Sequence, residues 1–167
     1  MIVYQVMLAL RTNSYIWKCS LNKYIDNKLS RANIHLIDIP WENCKLIRND
    51  LNHFTWKGFK NFCRHLNNEL KKLLPPDSHL HIISDSTIDY HNYTKNYTYN
   101  GKANKFLKLY LKKFKVTIDA QCGSGFHASV SFIDRLSKAP SNSTILFVGG
   151  WNDYSFKQIR CSISKLS

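Results

Sequence analysis

Apolar residues along the chain alternate between two spacings. Short, mostly apolar runs occur at Ile2 to Leu10, in "NIHLIDIP", in "HLHII", in "KVTIDAQC" and in "STILFVGG", and each reads as a buried strand. Between them the apolar positions fall at helical intervals. Trp17, Leu21, Tyr24, Ile25 and Leu29 predict one helix, and Phe59, Phe62, Leu66, Leu70 and Leu73 a second, with Thr55 as its cap and Pro75-Pro76 as its stop. A third spans Lys102 to Phe114 with Phe106, Tyr110 and Phe114 on one face. "HASVSFIDRLSKA" reads as a fourth, and Phe156, Ile159, Ile163 and Leu166 mark a fifth. "YHNYTKNYTYNG" reads as a loop.

Strand and helix therefore take turns. Strands apolar on both faces and separated by helices predict an α/β fold, a five-stranded parallel sheet with helices on each side, in one domain covering residues 1–167. In such sheets ligands bind beyond the carboxyl ends of the strands, where the winding reverses. The turns to inspect are "RNDLNHF", "SDST", "QCGSGF" and "GGWND".

Composition narrows the setting. With 44% apolar and 13% aromatic residues the chain can bury a core. No window is long and apolar enough to span a bilayer, and "MIVYQVMLALR" lacks the basic start and cleavage pattern of a signal peptide. The five cysteines, Cys19, Cys44, Cys63, Cys122 and Cys161, are scattered and form no C-x-x-C. That pattern argues against a disulfide framework or a zinc site and for a reducing compartment, so a cytoplasmic location is the expectation. The sequons at Asn92, Asn96 and Asn142 carry no weight in so Asn-rich a chain. The net charge of +13 admits an anionic partner without naming one.

Each turn carries usable chemistry. Ser86 follows a strand directly, where a turn can offer a hydroxyl and its own N–H to one oxygen. Asp50 and His53 stand three apart, so that the carboxylate can orient the imidazole; alone, the pair also fits a solvated loop. Asn152 can donate an amide to developing negative charge or simply cap the last helix. Either Gly123 or Gly125 can bring a backbone N–H to a ligand. The "AQCGSG" segment resembles a cysteine-protease loop, but nothing else supports Cys122 as a nucleophile. His79 and His81 share a strand face as metal ligands do, without a third ligand.

Taken together, "DLNHFTWKGF", "SDST", "GSGF" and "VGGWND" resemble the blocks of the GDSL/SGNH hydrolase superfamily over nearly the whole chain, in altered order. The D-x-x-H-F-T-x-x-G-F block ordinarily comes last; here it precedes the serine block, as a circular permutation through "KKLLPPDSHL" produces. The glycine that usually precedes Asp-Ser is Ser84. The resemblance implies a flavodoxin-like three-layer α/β/α sandwich, circularly permuted, and a serine esterase working through an acyl-enzyme without a cofactor. Its catalytic triad would be Ser86, His53 and Asp50. Its oxyanion hole would comprise the N–H groups of Ser86 and Gly125 and the Asn152 amide.

The substrate class so implied is a small-molecule, glycan or lipid acyl ester, with a short acyl group such as acetyl favoured by the short loops. Phe54, Trp56, Trp151 and Tyr154 suggest an aromatic rim. The alternative is a basic SGNH-like binding module for RNA or another polyanion with little or no catalysis. It rests on Lys102, Lys105, Lys108, Lys112, Lys113 and Lys115, opposite the Phe and Tyr face of the third helix.

Overall fold

The computed structural model describes residues 6–10, 34–37, 39, 53–93, 103–125 and 131–149. Asp50, Asn152, Trp151, Tyr154, Lys102 and the first and last predicted helices lie outside them. The described chain is an α/β fold. Its strands are β1 (Val6–Leu10), β2 (Ile34–Leu36), β3 (His79–Ser84), β4 (Lys115–Ala120) and β5 (Thr144–Gly149). They hydrogen-bond in the order β2-β1-β5-β3-β4, every neighbouring pair parallel.

Three α-helices are described, and the first of them shows how strongly sequence determines this part of the chain. Helix α1 (Trp56–Leu73) starts where Thr55 Oγ1 accepts the Gly58 N–H at 3.1 Å. Phe59, Phe62, Leu66 and Leu70, spaced at 3–4 residues, are fully buried. The stripe drifts at its end, so Leu74 is buried while the predicted core residue Leu73 is exposed. Pro75 and Pro76 then stop the helix. A short, hydrogen-bonded connection leads into β3: Ser78 Oγ donates to the Pro75 carbonyl (2.7 Å) and the Asp77 N–H to the Lys113 carbonyl (2.7 Å).

Helix α2 (Ser86–Tyr93) occupies part of what the sequence suggested was a loop. Its residues are weak helix formers, and tertiary context supplies what propensity does not: Asp85 caps it and Ile88 is fully buried. Helix α3 (Ala103–Tyr110) is shorter than predicted, ending in a turn through Leu111 to Phe114. Its buried line is Ala103, Leu107 and Leu111, so Phe106 and Tyr110 lie on its flank rather than at its centre.

The predicted helix over "HASVSFIDRLSKA" is instead, in its described part, a bridge at Ser131 and a 3₁₀ helix at Asp134–Lys138. Ser131 Oγ accepts the Ile133 N–H at 3.1 Å, a local bond that competes with the α-helical ladder.

Two crossovers use opposite faces of the sheet. The core cluster of Leu80, Ile82, Leu146 and Val148 with α1, α2 and α3 lies on one face. Alternation puts Ile83, Ile145 and Phe147 on the other, where Phe132 stacks on Phe147 with centroids 5.6 Å apart. Right-handed crossovers explain the split: the chain leaves β3 toward β4, then returns across β3 to reach β5. β3 is thus the strand at which the winding reverses.

Candidate active site

At the carboxyl end of β3 the chain turns on Asp85, which is fully buried. Its Oδ1 accepts the Thr87 N–H at 2.7 Å, and its carbonyl accepts from Ile88 (3.3 Å) and Asp89 (3.1 Å). These bonds account for three first-turn donors of α2. The remaining one, the N–H of Ser86, has no partner among the described residues. Ser86 itself is half-buried at the first position of the helix, where the macrodipole favours negative charge.

The neighbouring turns press against this one. Gly149, at the end of β5, has φ of +148°, and a β-carbon there would lie 2.5 Å from Asp85 Oδ2. Only glycine lets the two turns approach this closely. On the other side, the Ser84 carbonyl is met by the Gln121 N–H (2.9 Å), Ser124 Oγ (3.0 Å) and Arg135 Nη1 (3.1 Å). The Cys122 N–H donates to Asp89 Oδ2 at 2.7 Å, fixing the 121–125 turn to α2. Gly123 takes the left-handed conformation (φ +75°) at the exposed tip. Gly125 is buried and bridged to Ser131, its carbonyl accepting the Phe132 N–H at 2.8 Å.

Arg135 is a residue that pattern reading missed. It is 4% exposed, and besides Ser84 it reaches Ser124 Oγ (3.0 Å), Asp119 Oδ2 (2.9 Å) and the Asp119 carbonyl. The hydrogen bond from Arg135, more than any other influence, holds the Asp119 carboxyl below its ordinary range. No local motif announces this pair, because its members are 16 residues apart and meet only through the sheet.

The Cys122 thiol is pushed up to about 12, first by desolvation and then by the charge and hydrogen bond of Asp89. A thiol held protonated is a poor nucleophile, which weighs against the cysteine-protease reading. His79 is exposed, whereas His81 is buried with Nδ1 2.7 Å from Thr117 Oγ1.

His53 sits in a bend, half-buried, three residues before the start of α1. No hydrogen bond joins it to Ser86 among the described residues. The residues around it have structural work: Phe54 is 2% exposed and stacks on Phe62 (5.6 Å), Thr55 caps the helix, and Phe59 is core. Phe54 therefore belongs to the interior rather than to an aromatic rim. Trp56 is half-buried, its ring 4.6 Å from that of Phe106.

Three of the four blocks share one end of the sheet as far as they are described: the Ser86 turn, the 121–125 turn and Gly149 meet at the carboxyl ends of the strands. Helix α1 joins the amino end of β3 through residues 74–78, and its 18 residues span about 27 Å. No protein-family model, curated protein or solved structure matches this chain.

Proposed function

We propose that the chain is a serine esterase of the GDSL/SGNH type, with Ser86 as nucleophile, His53 as general base and Asp50 orienting the imidazole. The observation that carries this reading is the position of Ser86, at the first turn of a helix directly after the strand where the winding reverses. There its hydroxyl and its N–H, which has no partner among the described residues, stand at the end of the sheet where folds of this kind hold ligands. The oxyanion receives the N–H groups of Ser86 and Gly125 and the Asn152 amide.

Strand order supports the permutation. Counting from β3 as the first strand, then β4, β5, β1 and β2, turns the order β2-β1-β5-β3-β4 into 2-1-3-4-5 read from the other edge. That is the flavodoxin-like arrangement of a doubly wound sheet. A five-stranded, three-layer sandwich of SGNH type, circularly permuted between α1 and β3, is part of the same proposal.

In the reaction, His53 takes the proton from Ser86 Oγ as it attacks an ester carbonyl, and the alcohol leaves with that proton. Water activated by His53 then releases the acyl group. A short acyl chain is the proposed substrate feature.

A fluorophosphonate probe tests the assignment. Mass spectrometry is expected to find the adduct on Ser86, and Ser86→Ala to lower p-nitrophenyl acetate turnover by about 10⁴-fold. A protein that turns over no ester from acetate to palmitate and leaves Ser86 unlabelled is not this enzyme.

A further inference from the structure

Helices α1 and α3 leave a groove of about 440 Å³ on the helical layer, lined by none of the residues of the turns that hold Ser86. Four lysines line it, Lys60 and Lys71 from α1 and Lys112 and Lys113 from the turn after α3, together with Phe106 and Tyr110. No acidic side chain is among the lining residues. Tyr110 and Phe106 are half-buried, with ring centroids 5.0 Å apart. Leu109, on the rim, is 62% exposed.

We infer that this groove binds single-stranded nucleic acid, with the lysines on successive phosphates and a base against Tyr110. Three features select that occupant. The ammonium groups are strung out rather than convergent: Lys60 and Lys71 are separated by about 16 Å along α1, which suits a chain of phosphates and not one small anion. Half-exposed rings beside the cations offer the π surface on which an unpaired base stacks. The net charge of +13 adds long-range attraction to any polyanion. A bilayer fits less well, because the one exposed leucine on the rim gives little to insert.

The groove is independent of the proposed chemistry, so the two ideas fail separately. The probe is a fluorescein-labelled oligouridylate 20-mer, followed by anisotropy against salt. The lysines should each contribute about 0.7 to the slope of log K on log salt, so Lys60→Gln, Lys71→Gln, Lys112→Gln and Lys113→Gln together should lower it by about 3. Tyr110→Ala should weaken binding about 5- to 100-fold at constant salt slope. A control with Lys57→Gln, Arg64→Gln, Lys72→Gln and Lys138→Gln removes the same charge from exposed positions outside the groove. If it weakens binding as much as the groove variant, the attraction is diffuse and the proposal is wrong. Absence of binding at low salt, an unchanged affinity in Tyr110→Ala, or preference for phosphatidylserine vesicles over the oligonucleotide each overturns it as well.

Discussion

Arg135 does at the scale of one residue what the turns cannot do alone. Its guanidinium joins the carbonyl at the end of β3, the hydroxyl of Ser124 and both the carboxylate and the carbonyl of Asp119. The proposed nucleophile turn and the glycine turn are thus fixed to one rigid, planar group. Arg135→Met should remove about 3 kcal/mol of stability, the low end for breaking a buried pair, because Asp119 keeps 23% of its side-chain surface exposed. Urea unfolding measures this. Arg135→Lys retains the charge but not the fork, and should recover less than half of the loss. Full recovery by lysine would mean that charge, not geometry, holds the two turns together.

At the scale of the element, β3 shows why a strand that looks ordinary in sequence carries unequal burdens. His79 is exposed, but His81 is buried, with Thr117 on its Nδ1 and no partner for its Nε2 among the described residues. Burial lowers its pKa below the ordinary 6.5; the nearby Asp119 charge opposes this and Arg135 reinforces it. The unfolded chain therefore binds a proton at His81 at a higher pH than the folded one does. This contribution to stability is complete above about pH 6.5 and declines as the pH falls through the unfolded value toward the folded one.

Asp119, whose pKa is also lowered, adds a second loss at lower pH, below its ordinary 3.8. Melting temperatures measured from pH 8 to pH 5 should fall in the wild type and stay flatter in His81→Gln. Parallel curves would remove His81 as the cause.

The same strand marks what the sequence made legible. Apolar runs located β3, β4 and β5, and the Thr55 cap with its apolar stripe located α1, because those signals are local. Helix α2, the buried line of α3 and the Asp119–Arg135 pair depended on contacts across the sheet. The "HFTWKGF" segment was the clearest mark of the resemblance, yet capping and core packing account for most of it.

For the molecule as a whole, the two ends of the sheet have different tolerances. The amino end holds short connections relieved by left-handed residues, Asp77 (φ 64°) before β3 and Asn142 (φ 59°) before β5, types that adopt this conformation at low cost. The carboxyl end holds the mutually bonded turns around Asp85, Gly149 and residues 121–125. Under the permutation reading, the link between α1 and β3 is a tether that contributes no catalytic group.

A Gly-Ser-Gly-Ser insertion between Pro76 and Asp77 should thus cost a few kcal/mol at most, from loop entropy and from disturbing the Asp77 bond to Lys113. Fluorophosphonate labelling of Ser86 should survive it. The same insertion between Cys122 and Gly123 separates the Gln121 and Cys122 bonds, to Ser84 and Asp89, from the Ser124 bonds to Ser84 and Arg135, and labelling should drop by at least about 10²-fold while far-ultraviolet circular dichroism stays native. Labelling that survives both insertions equally would show that the 121–125 turn takes no part in positioning the serine.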